Sequence, residues 1–222
     1  MPHSTPPRIL FQGDSITDCK RDHSQDLGSD PDQMGLCLGR GYAMMIGAQL
    51  TFQYGIEAPQ LRNLGLSGNR IVDLAARAQE HIWNLGPSLL SILIGINETW
   101  HLFQRHAGVD IQRFIRTYDL LLSDTRERLP DVEFIIGEPF ALPCGVVEDR
   151  WFDDLRPRQA AIAELAAKHQ ARLIPYQRHF DEACKRAPAA HWAPDGVHPS
   201  PAGHWLMAQA WLEIAGPLVS KP

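Results

Sequence analysis

The chain predicts an α/β fold built on a parallel sheet, and three observations carry that expectation. Short apolar runs alternate with segments of helical periodicity from one end to the other. The strongest run, Leu89-Leu90-Ser91-Ile92-Leu93-Ile94-Gly95-Ile96, is apolar almost without interruption, as a strand covered on both faces requires. Polar clusters follow the runs directly: Gly13-Asp14-Ser15, Ser67-Gly68-Asn69 and Asn97-Glu98 stand where strands give out. That carboxyl edge is where ligands collect in open α/β sheets. Alternating strands and helices imply right-handed crossovers. No internal repeat or linker interrupts the 222 residues, so one domain over 1–222 is expected.

The elements follow in order. Ile9-Leu10-Phe11 starts the first strand, and Gly13 lets the backbone turn sharply after it. Residues 17–40 are polar and aperiodic, which suits a substrate-facing loop. A helix is expected over 41–54, stopped by Gly55, and a strand over 61–66. Ile71, Leu74, Ala75, Ala78 and Ile82 place one apolar face on a helix over 71–83, broken by Gly86-Pro87. After the 89–96 strand come a long amphipathic helix over 109–129 and a strand over 132–137. A loop with Trp151 and Phe152 then precedes a helix capped by Asp153 or Asp154, with Pro157 in its first turn, running to about His169. A short strand over 171–174 and a weaker helix over 176–186 follow. The last helix, 202–215, has Ser200 as N-cap, Pro201 at its first position and Gly216-Pro217 as its end.

Composition narrows the function. A net charge of −5 and a pI near 6.0 argue against nucleic acid as the main partner. Cys19, Cys37, Cys144 and Cys184 are widely spaced with no Cys-x-x-Cys pair, and read as free thiols of a reducing compartment. Met1 to Pro7 is polar and proline-rich, and neither a signal peptide nor a membrane span fits the sequence. A cytoplasmic protein is the expectation.

Ser15 ends the first strand either as a helix cap, a role Asp14 also suits, or as a nucleophile at the mouth of a crevice. An unassisted serine hydroxyl is weakly reactive and needs an oriented base. His191-Trp192-Ala193-Pro194-Asp195-Gly196-Val197-His198-Pro199 supplies one. Asp195 lies three residues before His198, within reach of its Nδ1–H, and that bond leaves Nε2 free to take a serine proton. Acyl transfer also needs donors for an oxyanion. The Ser15 N–H, the Gly68 N–H and the Asn97 amide stand at strand ends that the topology brings to one edge. Trp100 and Trp192 flank this set in sequence and suit sugar rings, although packing is the commoner role of tryptophan.

The four blocks Gly-Asp-Ser-Ile-Thr-Asp (13–18), Asn-Leu-Gly-Leu-Ser-Gly-Asn (63–69), Gly-Ile-Asn-Glu (95–98) and Asp-Gly-Val-His-Pro (195–199) resemble, in order, those of the SGNH branch of the GDSL hydrolases. The resemblance implies a flavodoxin-like three-layer α/β/α sandwich with a five-stranded parallel sheet. It also implies Ser15 as nucleophile, His198 and Asp195 as base and orienter, and Ser15, Gly68 and Asn97 as oxyanion donors. Leu38-Gly39-Arg40-Gly41-Tyr42, Ser67-Gly68-Asn69-Arg70, Ile94 to Trp100 and Pro201-Ala202-Gly203-His204 are similar to an intracellular acetylxylan-esterase-like group. That group usually has Asp at the position of Glu98 and Arg at that of His101. The implied substrate is a short acyl ester, chiefly acetyl, of a small carbohydrate such as a xylo-oligosaccharide. The alternatives are a general short-chain lipolytic esterase or thioesterase and a non-catalytic carbohydrate binder. No cofactor or metal is expected: the ten histidines show no His-Glu-x-x-His spacing, and the Gly-x-Gly-x-x-Gly turn for a dinucleotide is missing. No nucleic-acid or membrane partner is expected, and related enzymes often self-associate as homo-oligomers.

Overall fold

The computed structural model describes residues 8–24 and 34–219. Met1 to Pro7 and the central part of the expected 17–40 loop lie outside the described residues. Five strands form one parallel sheet: β1 (Arg8–Gly13), β2 (Gln60–Asn63), β3 (Leu89–Leu93), β4 (Glu133–Gly137) and β5 (Arg172–Ile174). Their order is β2-β1-β3-β4-β5, with Phe11 beside Asn63 and Ser91, and Gly13 beside Leu93. The chain therefore changes direction across the sheet between β1 and β3, a switch point that opens a crevice at the carboxyl edge.

Both faces of the sheet are covered, which is why β3 is buried throughout. Between β1 and β2 run α1 (Ser15–Asp18), α2 (Met34–Cys37) and α3 (Tyr42–Tyr54). α4 (Ile71–Ala76) and α5 (Ala78–His81) lead to β3, and α6 (Ile96–Arg105) and α7 (Ile111–Arg128) lead to β4. α8 (Asp149–Lys168) leads to β5, and α9 (Tyr176–Cys184), α10 (Ala189–Trp192) and α11 (Pro201–Val219) complete the chain. α3, α9 and α11 pack on one face around Phe11, Ile46, Phe180 and Trp211. α4, α7 and the second half of α8 pack on the other around Leu10, Ile92, Phe114 and Ile162. The result is the expected three-layer sandwich.

Several boundaries differ from the sequence expectation, each for a tertiary reason. The 71–83 helix is two helices separated at Arg77, whose guanidinium is held by Gln12, Asn69 and His81. β3 stops at Leu93, and Gly95 (φ +132°) starts α6, a helix the polar run after Ile96 did not announce. α8 begins at Asp149 with Glu148 as N-cap, so neither Asp153 nor Asp154 caps it, and Pro157 sits inside it. Burial of Trp151 and Leu155, with Asp154 tied to Arg158 at 2.9 Å, outweighs the lost proline N–H. α11 runs through Gly216-Pro217 to Val219, whose buried side chain joins the core. Ser200 does cap α11: its hydroxyl accepts the Gly203 N–H at 3.2 Å.

Candidate active site

The turn after β1 is tightly packed. A Cβ on Gly13 would lie 2.3 Å from Thr17 Oγ1 and 2.4 Å from the Leu93 carbonyl, so only glycine fits. Asp14 is the N-cap of α1; its Oδ1 accepts the Ile16 N–H at 3.0 Å and its side chain is fully buried. Asp14 therefore takes the capping role, and the neighbouring Ser15 hydroxyl is free to face the crevice.

Ser15 Oγ lies 2.9 Å from His198 Nε2, and His198 Nδ1 lies 2.6 Å from Asp195 Oδ2. The second oxygen of Asp195 accepts the backbone N–H groups of Val197 and His198 at 2.9 and 2.7 Å. Burial opposes ionisation of Asp195, but the bonds from the His198 ring and these N–H groups prevail and bring its carboxyl down to about 2. It is then an acceptor only, so Nδ1 of His198 must be the donor and Nε2 of the neutral ring an acceptor for the serine hydroxyl. The same Asp195 bond raises the His198 pKa above the ordinary 6.5, against its partial burial. The pair stays open to solvent, with side-chain exposures of 44% for His198 and 36% for Asp195.

The two further expected donors stand on neighbouring segments. Gly68 has φ +82°, a left-handed backbone that favours glycine, in a turn closed by Asn69 N–H to the Leu66 carbonyl. Asn97 is buried at the start of α6 and donates one amide N–H to the Asn69 carbonyl at 3.0 Å, keeping a second N–H. Asp18, whose role the sequence did not reveal, ties α1 to the Gly68 turn. Its Oδ2 accepts the Ser67 N–H and hydroxyl at 3.1 and 2.9 Å. Asn63 does the same from β2, donating to the Thr17 and Leu38 carbonyls. The only signal for either was a polar residue at a buried strand or helix end.

Trp100 stands edge-on to His198 at 5.6 Å and to Trp151 at 5.4 Å, forming a wall beside the imidazole. Trp192 does not line the site in this way. It is 8% exposed, belongs to the core and gives its N–H to the Ala187 carbonyl. Its backbone carbonyl accepts the Ser200 N–H, so it braces the histidine loop by packing rather than offering a sugar-stacking face. Among the described residues no group of three or more His, Cys, Asp or Glu could hold a metal ion. No helix among them is long and apolar enough to cross a membrane.

A hydroxyl, an imidazole and a carboxylate hydrogen-bonded in line beside a parallel α/β sheet form the arrangement that acyl-transferring hydrolases use. The sequence profile of the GDSL-like lipase/acylhydrolase family matches residues 11–206, and the chain belongs to that family of carboxylic ester hydrolases. It is 31% identical over 213 residues to an acetylxylan esterase of Geobacillus stearothermophilus, covering 94% of each chain. Among solved structures it superposes on a GDSL-like lipase of Parabacteroides merdae with a TM-score of 0.90 at 33% identity, over 96% of this chain and 97% of that one. A catalytic histidine-to-alanine mutant of the Geobacillus esterase gives a TM-score of 0.85 at 29% identity, covering 97% of each chain.

Proposed function

We propose that this esterase removes short acyl groups, chiefly acetyl, from small carbohydrate esters through an acyl-enzyme on Ser15. The observation that carries the mechanism is the Ser15–His198–Asp195 chain, at 2.9 and 2.6 Å. Ser15 Oγ attacks the acyl carbon while His198 Nε2 takes its proton. The Ser15 and Gly68 N–H groups and the Asn97 amide stabilise the oxyanion. Collapse breaks the ester bond, and the sugar oxygen leaves with the proton held on Nε2. Water then attacks the acyl-enzyme, His198 again taking and returning a proton, which frees the carboxylic acid and restores Ser15. A serine-directed phosphonate is expected to add one label, on Ser15, and stop hydrolysis. A label elsewhere with activity retained would overturn the assignment.

The substrate class is supported by similarity to an acetylxylan esterase and by the polar character of the 17–40 segment. The four free thiols fit a cytoplasmic setting. In a site shaped for acetyl, each added methylene meets packed walls at about 1–3 kcal/mol. We therefore expect kcat/KM to fall one to two orders of magnitude from acetyl to butyryl p-nitrophenyl esters. Octanoyl esters turned over as fast as acetyl would instead make it a general lipolytic esterase.

A further inference from the structure

Asn97 and Glu98 are consecutive, and both reach across to the segment that carries Gly68. The Asn97 amide donates to the Asn69 carbonyl at 3.0 Å, and Glu98 Oε1 accepts the Ile71 N–H at 2.6 Å. Both residues are buried, Glu98 completely. Ile71 opens α4, so its N–H is one that the helix cannot satisfy internally, and Glu98 brings the acceptor from another element. Asn69 and Ile71 are thereby tied to the first turn of α6, and the backbone between them cannot slide relative to Asn97. The other bonds of the segment lead elsewhere. Arg70 is held by Asp73 and the Ala107 carbonyl, while Asp18 fixes Ser67 against α1.

We propose that Glu98 is a positioning residue of the oxyanion site, setting the separation between the Gly68 N–H and the Asn97 amide. This role presupposes the Ser15 chemistry proposed above. Glu98 touches neither serine nor substrate and acts through Ile71 and Asn69.

The state of the carboxyl suits the task. Glu98 Oε2 is buried and has no hydrogen-bond partner among the described residues. An ionised oxygen there would be costly. Burial pushes the Glu98 pKa up to about 7, with the Ile71 N–H, its own N–H and Arg158 pulling against that and Asp14 adding to it. Asp14, Arg158 and Arg70 are the charged groups coupled to it, and the neutral Tyr118 hydroxyl also faces it. Burial thus favours the protonated carboxyl of Glu98, which still accepts the Ile71 N–H through Oε1. A neutral amide of the same length should do the same work.

The test uses p-nitrophenyl acetate with Glu98→Ala, Glu98→Gln, Asn97→Ala, the Asn97→Ala/Glu98→Ala double variant and Ser15→Ala. Glu98→Ala is expected to lower kcat by roughly tenfold, with KM within about twofold, because misplaced donors fail only in the transition state. Glu98→Gln is expected to recover most of that loss. In the Asn97→Ala background, removing Glu98 should cost less than about twofold, since an absent donor cannot be misplaced and Asp18 still holds the Gly68 turn. Exchange of the Ile71 amide should quicken in Glu98→Ala and stay slow in Glu98→Gln. Where the alanine variant does not fold, Glu98→Met fills the space without an acceptor and carries the same expectations. Equal losses in both backgrounds, a loss confined to KM, or unchanged kcat in a folded variant each overturn the role. Full activity in Ser15→Ala would instead overturn the serine mechanism; an inactive Ser15→Ala beside a normal Glu98→Ala removes the Glu98 role alone.

Discussion

Asp195 commits both oxygens within three residues of itself, one to the His198 ring and one to the backbone N–H groups of Val197 and His198. The carboxylate therefore orients the imidazole from a loop that it also holds in shape. The charge it fixes has a consequence for pH. His198 acts as a base only when neutral, and the Asp195 hydrogen bond raises its pKa above 6.5. The inactive protonated ring then persists to higher pH, so kcat/KM should climb through an inflection above 6.5. Asp195→Asn removes the charge and the tautomer control; the inflection should move down and kcat fall by roughly 10³–10⁴. A rate profile from pH 5 to 9 on both proteins checks this. An inflection at or below 6.5 that Asp195→Asn leaves in place would contradict it.

The elements that carry these residues were legible in the sequence where burial is two-sided and local. β1, β3 and β4 announced themselves as apolar runs, and every one of the four polar blocks falls at a carboxyl strand end or in the loop before α11. What the sequence hid depends on contacts distant along the chain. The break at Arg77 is made by Gln12, 65 residues away, and the early start of α8 by Trp151 packing on Trp100 and Phe103. Trp192 suited a sugar face or packing equally in the sequence, because composition does not distinguish a rim tryptophan from a core one. α6 was missed because its first turn, Ile96 to Thr99, is buried whole and so shows no amphipathic start. The β1–α1 turn is legible in a stronger sense, since the glycine forecasts its own sensitivity. Gly13→Ala would force a methyl against Thr17 Oγ1 and the Leu93 carbonyl, and one of these is backbone of the central strand. Such overpacking costs about 1–3 kcal/mol, and here it also displaces Ser15 from His198. Denaturant titration should show the stability loss, and kcat should fall with it. Wild-type stability and rate in Gly13→Ala would show that the turn yields at no cost.

Across the whole molecule, the protons held by the folded chain pull stability and activity in opposite directions. Asp14 and Glu98 are buried carboxyls, and burial raises each from its ordinary value, 3.8 and 4.5, to about 7. The unfolded chain releases these protons near pH 4 while the folded chain keeps them to near neutrality, so stability declines as pH rises through this window. His204 opposes the trend below 6.5, because burial lowers its pKa to about 4 and the folded chain resists its protonation. Two raised carboxyls outweigh one lowered imidazole, since each unit of difference is worth about 1.4 kcal/mol. His198, raised by Asp195, adds to the decline above 6.5: its contribution is complete below that value and is lost as pH passes its folded pKa. The protein should thus be most stable at mildly acidic pH, where His198 is still protonated and hydrolysis slow. Glu98→Gln removes one of the two carboxyls and tests the account. The difference in melting temperature, variant minus wild type, should grow by several degrees from pH 5 to pH 8, as about 1 kcal/mol moves a chain of this size by roughly 2–4 °C. Parallel melting curves across that range would mean that Glu98 titrates alike in the folded and unfolded chain, and its burial would then carry no penalty.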